Sequence, residues 1–248
     1  MKETRILMDM PITIDIVDKT ATTKMIDTVF NYFKYIDEKF SPFKLKSELS
    51  QINTGRLNKY EWSRDMQTVF KLSLQTKRET NGYFDIRHKG KYDPSGLVKG
   101  WAIQNAANLL KKLGVKNFFI DAGGDIQVAG KNHEEKKWRV GIRNPFNRDE
   151  NVKIIFISHE GVATSGTYIR GQHIYNPHEP HKKINNIVSL TIIGPNIYDA
   201  DRFATAAFAM GKKGIEFIEQ LKGFEGYIID CKGTATFTSG FNKYVKPD

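Results

Sequence analysis

Two hydrophobic periods meet within the first forty residues, and a chain that must satisfy both has to pack helices on a sheet. Ile12, Ile14 and Ile16 alternate with Thr13, Asp15 and Val17, the period-two signature of a strand with one buried face. A few residues on, Ile26, Phe30, Phe33, Ile36 and Phe40 recur at spacings of three and four. That spacing draws one apolar stripe along a helix over residues 22–40, the stripe that covers a sheet. Ser41-Pro42 ends it.

The same reading extends along the chain. Residues 47–53 form a short helix or turn. A second long helix runs from Ser63, a good N-cap, to about Thr80, with Met66, Val69, Phe70 and Leu74 facing inward and Asn81-Gly82 as its stop. Residues 83–92 are loop-like and rich in charge. A third helix follows "DPSGLVKGWA" (93–102), lined by Trp101, Ala102, Ala106, Leu109, Leu110 and Leu113 and ended by Gly114. Strands are expected at 117–121, 126–129, 138–142, 153–158, 188–193 and 227–231, and helices at 200–210 and 214–221. Residues 171–186, with three histidines, read as a long polar loop. Helices and strands mix without regular alternation, and several strands are joined by short links. The expectation is an α+β fold rather than a doubly wound sheet.

A length of 248 residues suits one large domain or two interlocked lobes. The formal charge of +10 favours acidic partners such as phosphate-rich ligands, yet the lysines are scattered and form no dense basic block. Nucleic-acid binding is therefore not expected. The single cysteine, Cys231, excludes an internal disulfide and a cysteine-based zinc site, and reads as a buried strand residue. No apolar run approaches 18 residues, so no membrane span is expected. The N-terminus shows no charged, apolar and cleavage-site succession, and the expected location is cytoplasmic.

Four clusters carry chemistry. In the first, Asp93 and Lys99 flank the start of the third helix, where bare N–H groups and the positive end of the helix dipole could receive an anion. A capped helix with a solvated lysine explains the same residues. The second is "DAGGD" (121–125), either a phosphate-binding backbone turn or an ordinary hairpin. The third joins the hydroxyls of Thr164, Ser165 and Thr167 to His173, whose ordinary pKa near neutrality suits a general base. His178 and His181 lie nearby, but their spacing matches no standard zinc pattern. In the fourth, Asp201 and Thr205 stand four apart on one helix face and offer hard oxygen ligands for Mg²⁺. Helix capping by Asp199 or Asp201 is the plain alternative.

In order, these clusters resemble the ApbE family of FAD:protein FMN transferases. The chain shows "MDMPITI" from Met8, "SPFKLKSELSQIN" from Ser41, "YFD" from Tyr83 and "DPSGLVKGWA" from Asp93. It continues with "DAGGDI" from Asp121, "ATSG" from Ala163, "HIYNP" from His173 and "DADRFATAAFAMG" from Asp199. The resemblance implies an ApbE-like α-β roll, one domain over residues 1–248, with two interlocked lobes around a flavin-binding groove. It further implies that FAD touches Met8, Phe43, Tyr83, Phe84, Asp85, Asp93, Lys99 and Tyr175. Mg²⁺ would be held by Asp201, Thr205 and the carbonyl of Gly96, and His173, Lys99 and Asp201 would carry catalysis. The implied reaction moves FMN from FAD to a Thr or Ser hydroxyl in the flavinylation motif of an acceptor protein, releasing AMP. An FAD pyrophosphatase and a non-catalytic FAD-binding protein are the alternatives. Asn176 departs from the family's Asp, His178-Glu179 from its usual Thr-Gly, Asp121 from its Asn and Ser95 from its first paired Gly.

Overall fold

The computed structural model describes residues 1–147, 149–167 and 174–246. The chain opens with a hairpin of β1 (Lys2–Leu7) and β2 (Met10–Ile16). Its turn residues Met8 and Asp9 both have positive φ, 53° and 58°, the geometry whose twist matches that of the flanking strands. Helix α1 (Thr23–Phe40) starts at Thr22, whose hydroxyl accepts the Met25 N–H. Short α2 (Glu48–Asn53) is capped in the same way by Ser47, and α3 (Arg64–Glu79) by Ser63. After α3 the chain reverses at Asn81 and Gly82, both left-handed.

Residues 83–92 are more ordered than their composition suggests. Phe84 and Ile86 are buried, and β3 (Arg87–His88) pairs with β4 (Lys91–Tyr92). Asn53 holds β4 in place by bonding both the N–H and the carbonyl of Tyr92, at 2.7 and 2.8 Å. Helix α4 (Ser95–Lys112) leads into the hairpin of β5 (Phe118–Ala122) and β6 (Asp125–Ala129), then that of β7 (Trp138–Arg143) and β8 (Asn151–Ile157). Strands β9 (Gly161–Gly166) and β10 (Ile187–Gly194) precede α5 (Ile197–Ala209) and α6 (Gly214–Glu219). Strands β11 (Glu225–Asp230) and β12 (Ala235–Phe237) complete the order.

Among the described residues, eight strands form one antiparallel sheet in the order β1-β2-β5-β6-β9-β10-β11-β12. Period two decides its faces. Ile12, Ile14, Ile16, Phe118, Ile120, Leu190 and Ile192 point to one side, where α1, α4 and α5 pack on the sheet. Ile126, Val128, Ile193, Tyr227 and Ile229 point to the other, where the β7–β8 hairpin and Phe241 cover them. The fold is α+β, as the unequal mixture of periods predicts. Among the described residues no helix is long and apolar enough to cross a membrane.

Three side chains depart from expectation. Leu74 and Leu113, assigned to inner faces, are 51% and 41% exposed. Ser73 and Thr76 take the inner positions on α3, and Thr76 can do so because its hydroxyl bonds back to the Leu72 carbonyl at 2.9 Å. Cys231 is exposed rather than buried, because β11 ends at Asp230 and the next residues turn into β12.

Asp230 organises that turn. It pairs with Lys212 at 2.8 Å and accepts the N–H groups of Lys232 and Thr234, each at 2.9 Å. The Lys212 ammonium first, then the Thr234 N–H, hold its carboxyl down to about 2. A depressed carboxylate stabilises the fold above its unfolded pKa of about 3.9 and loses that contribution as pH falls through the folded value. Carboxyl-carbon NMR should therefore place the Asp230 midpoint near 2, and Asp230→Asn should weaken the acid-side loss of stability between about pH 4 and 2. A midpoint at the ordinary value would show that the turn exerts no such hold.

Candidate active site

Helices α4 and α5 approach so closely that only glycine fits at the crossing. A β-carbon on Gly100 would lie 2.6 Å from Asp201 Cβ and 2.8 Å from the Ile197 carbonyl oxygen. The approach lets the Gly100 N–H donate to Asp201 Oδ2 at 2.7 Å. One turn along, Thr205 Oγ1 donates to the Gly96 carbonyl at 3.1 Å, and a β-carbon on Gly96 would come within 2.9 Å of Thr205 Cγ2. Two close approaches thus gather the Asp201 carboxyl, the Thr205 hydroxyl and the Gly96 carbonyl at the first turn of α4. All three donors are hard oxygens, a set that fits Mg²⁺ with water and phosphate oxygens completing the shell. Among the described residues no three His, Cys, Asp or Glu side chains gather into a metal cluster, so any cation here would rest on this mixed set.

Asp201 is almost wholly buried. Burial pushes its carboxyl well above the ordinary range, the Lys99 charge opposes that rise, and the neighbouring Asp125 adds to it. Lys99 Nζ lies 2.6 Å from Asp125 Oδ2. Capping does not explain Asp201: α5 starts three residues earlier than its apolar pattern suggests, and its cap is Asn196, whose Oδ1 accepts the Asp199 N–H at 2.9 Å. Arg202, next in sequence, is buried and pairs with Asp199 and Glu79, tying α5 to the end of α3.

The recess opens into a cleft of about 630 Å³, within the range of small-molecule and cofactor sites. Met8, Phe43, Tyr83, Phe84, Asp85, Asp93, Gly96, Lys99, Tyr175, Asp201 and Thr205 all line it. His173 lies outside the described residues. Phe43 and Leu45 stand at the mouth, 83% and 86% exposed, an apolar pair in water beside the opening. Tyr175 packs on His88 with ring centroids 3.9 Å apart and donates its hydroxyl to the Asp85 carbonyl at 2.7 Å. Burial pushes that phenol up to about 12, with the Asp85 and Asp93 charges adding. Asp93 accepts the Ser95 N–H at 3.0 Å and so orders the turn into α4, whose own cap position, Pro94, makes no side-chain bond.

Two clusters find their place in the sheet. The Gly123-Gly124 turn is a hairpin turn with both φ positive, 63° and 98°. Its N–H groups already donate to the Pro11 carbonyl and to Asp121 Oδ1, so it is not a phosphate nest. The hydroxyl cluster at 164–165 belongs to strand β9, and Thr164 Oγ1 is engaged with Thr191 Oγ1 at 2.9 Å. The departures around residue 176 have local explanations. Asn176 Oδ1 accepts the His178 N–H at 2.9 Å, a turn that asparagine makes as well as aspartate. His178 packs on Tyr83 and bonds the Asn81 carbonyl at 2.9 Å.

Three residues that sequence reasoning assigned no role belong to the site or its support: His88 beneath Tyr175, Asn53 bracing β4, and Asp125 behind Lys99. Asp125 alone carried a signal, as a carboxylate opening a strand with Ile126, Val128 and Ala129.

An antiparallel sheet covered by helices, with an oxygen-lined recess where two of them cross, defines an α+β protein built around a cofactor-sized cleft. The sequence model of the ApbE family matches residues 8–92 and 86–228, and the chain belongs to the ApbE family. It is 28% identical over 164 residues to an FAD:protein FMN transferase of Klebsiella pneumoniae (strain 342), a match covering 62% of this chain and 45% of that protein. It is 31% identical over 130 residues to one of Vibrio cholerae serotype O1, covering 49% and 39%. The chain spans about half the length of the curated relatives it matches. The crystal structure of the ApbE protein from Thermotoga maritima superposes with a TM-score of 0.88 at 20% identity over 99% of both chains. That of the flavin transferase ApbE from Vibrio cholerae gives 0.85 at 21% over 98% of both. These likenesses establish the fold.

Proposed function

We propose that this chain, as one domain over residues 1–248, is a Mg²⁺-dependent transferase. It moves FMN from FAD to a Thr or Ser hydroxyl of an acceptor protein and releases AMP. The observation that carries this reading is the meeting of the Gly96 carbonyl, Asp201 and Thr205 at the inner end of a cofactor-sized cleft, with Lys99 beside them. The names of the relatives point the same way.

Phosphoryl transfer is governed by positioning and charge neutralisation. Lys99 brings an ammonium to the cleft wall where a diphosphate would lie. Asp201, Thr205 and the Gly96 carbonyl would hold Mg²⁺, which when bound would neutralise charge on the phosphate oxygens. The rings of Tyr83, Tyr175 and Phe43 line the cleft beside the buried Phe84 and would pack on the flavin. His173 would take the proton of the acceptor hydroxyl as its oxygen bonds to phosphorus and AMP departs, a contribution of about 10²- to 10⁴-fold.

Incubation with FAD, Mg²⁺ and an acceptor bearing a Thr/Ser flavinylation motif, read by mass spectrometry, tests the proposal. Covalent FMN on the acceptor, lost with chelation, is the expected result. Free FMN and AMP without adduct would make the chain a pyrophosphatase. FAD bound but not consumed would make it a flavin-binding protein.

A further inference from the structure

We propose that Asp125 is a positioning residue that fixes the Lys99 ammonium at the wall of the cleft. Lys99 lines the cleft and Asp125 does not. Asp125 is 1% exposed at the first position of β6, behind the lysine. Its two oxygens face different elements. Oδ2 lies 2.6 Å from Lys99 Nζ on α4, and Oδ1 accepts the Thr164 N–H of β9 at 3.1 Å.

The second bond explains why the carboxylate is rigid. Strands β6 and β9 pair only at Ile126–Val162 and Gln127–Gly161, then diverge. Beyond that point the Asp125 side chain replaces the backbone ladder as acceptor for Thr164. A carboxylate anchored to the sheet at one oxygen has little freedom at the other, so the lysine it pairs with is held as well. A four-carbon ammonium stem free to swing would lose rotamer entropy each time it met a phosphate; one already held does not. Asp201 lies against Asp125 beside the same lysine, the two carboxyls sharing a hydrogen bond. Asp125 therefore acts through Lys99, without touching the dinucleotide, an inference that rests on the transferase reading for its kinetic arm alone.

The test is a double-mutant cycle with Asp125→Asn, which keeps an acceptor for Thr164 and removes the charge, and Lys99→Met. FAD turnover should fall about 10- to 100-fold in D125N, the range for residues that orient a functional group from behind. In the K99M background the same change should lower the residual rate less than about threefold, because the group it orients is gone. Equal losses in both backgrounds would overturn the proposal, as would an undiminished D125N. A second measurement needs no activity, and its first arm needs only the wild type. Under limiting acetic anhydride, wild-type Lys99 should be acetylated at least about tenfold more slowly than exposed Lys112 at the end of the same helix, read by peptide mass spectrometry. Where D125N folds, its Lys99 rate should rise severalfold. Labelling of wild-type Lys99 as fast as Lys112, or no rise in D125N, would overturn the proposal. Absence of FAD turnover in the wild type would refute the transferase reading instead and leave the labelling to decide.

Discussion

Asp201→Asn leaves the fold as stable as the wild type in the absence of divalent cation, or more so, while removing about 10²- to 10³-fold of Mg²⁺-dependent turnover. Both halves follow from the same burial. The carboxyl is almost completely enclosed, which penalises its charged form. Asparagine is neutral, has the same shape, and keeps an oxygen for the Gly100 N–H that Asp201 Oδ2 accepts at 2.7 Å. Asparagine lacks the charge that makes the recess attractive to a hard cation. A preorganised electrostatic contact at a transferred group is worth losses of this order when removed. Thermal melts with and without Mg²⁺ check the binding half independently of catalysis. A ligand at 100 times its Kd stabilises the native state by about 2.7 kcal/mol, so the wild type should shift and D201N should not. A variant that still shifts, or still turns over FAD with Mg²⁺, would remove Asp201 from the metal assignment.

Gly161→Ala destabilises the protein by about 3 kcal/mol or more, a larger effect than its single methyl suggests. The new carbon would lie 2.1 Å from the Ile197 backbone nitrogen and 2.4 Å from the Asn196 carbonyl carbon. Both obstacles are main chain at the start of α5, so no rotamer change relieves them, and overpacking of this kind typically costs 1–3 kcal/mol even where side chains can shift. Here the helix start is also pinned from the sheet side, since Gln127 Oε1 accepts the Ile197 N–H at 2.8 Å. Gly161→Ala must push α5 off β9 or break that bond, and α5 carries both Asp201 and Thr205. Urea denaturation should show the midpoint lowered, and Mg²⁺ should stabilise the variant less than the wild type. An alanine variant with wild-type stability would mean that α5 is not seated on β9 as described.

The elements were legible where a cap and a period coincided. Ser63 accepts an N–H at the start of the helix it was expected to cap, Thr22 and Ser47 do the same for α1 and α2, and the stripe of α1 from Ile26 to Phe40 is buried throughout. Legibility failed where a residue's environment comes from a distant segment. Leu74 has the hydrophobicity of a core residue, but on α3 the buried positions belong to Met66, Val69, Ser73 and Thr76. The exposure of Cys231 depends on the strand turning one residue earlier than its apolar run. On α5 the apolar pattern concealed a start at Asn196, and with it the fact that Asp201 is an inward residue of the second turn rather than a cap.

By itself the sequence determined the mixed periods, the positions of the breaks, and the residue types offered to the cleft: hard oxygens at 201 and 205, a lysine at 99, aromatic rings at 43, 83, 84 and 175. These are local properties, set by backbone propensity and by the chemistry of each side chain. Only the tertiary structure decided that Gly96 and Thr205, 109 residues apart, share a hydrogen bond, and that Asp125 stands behind Lys99. Those contacts depend on how closely α4 and α5 cross and on where β6 leaves β9. Such distances are set by packing across the whole sheet, and no window of sequence contains them.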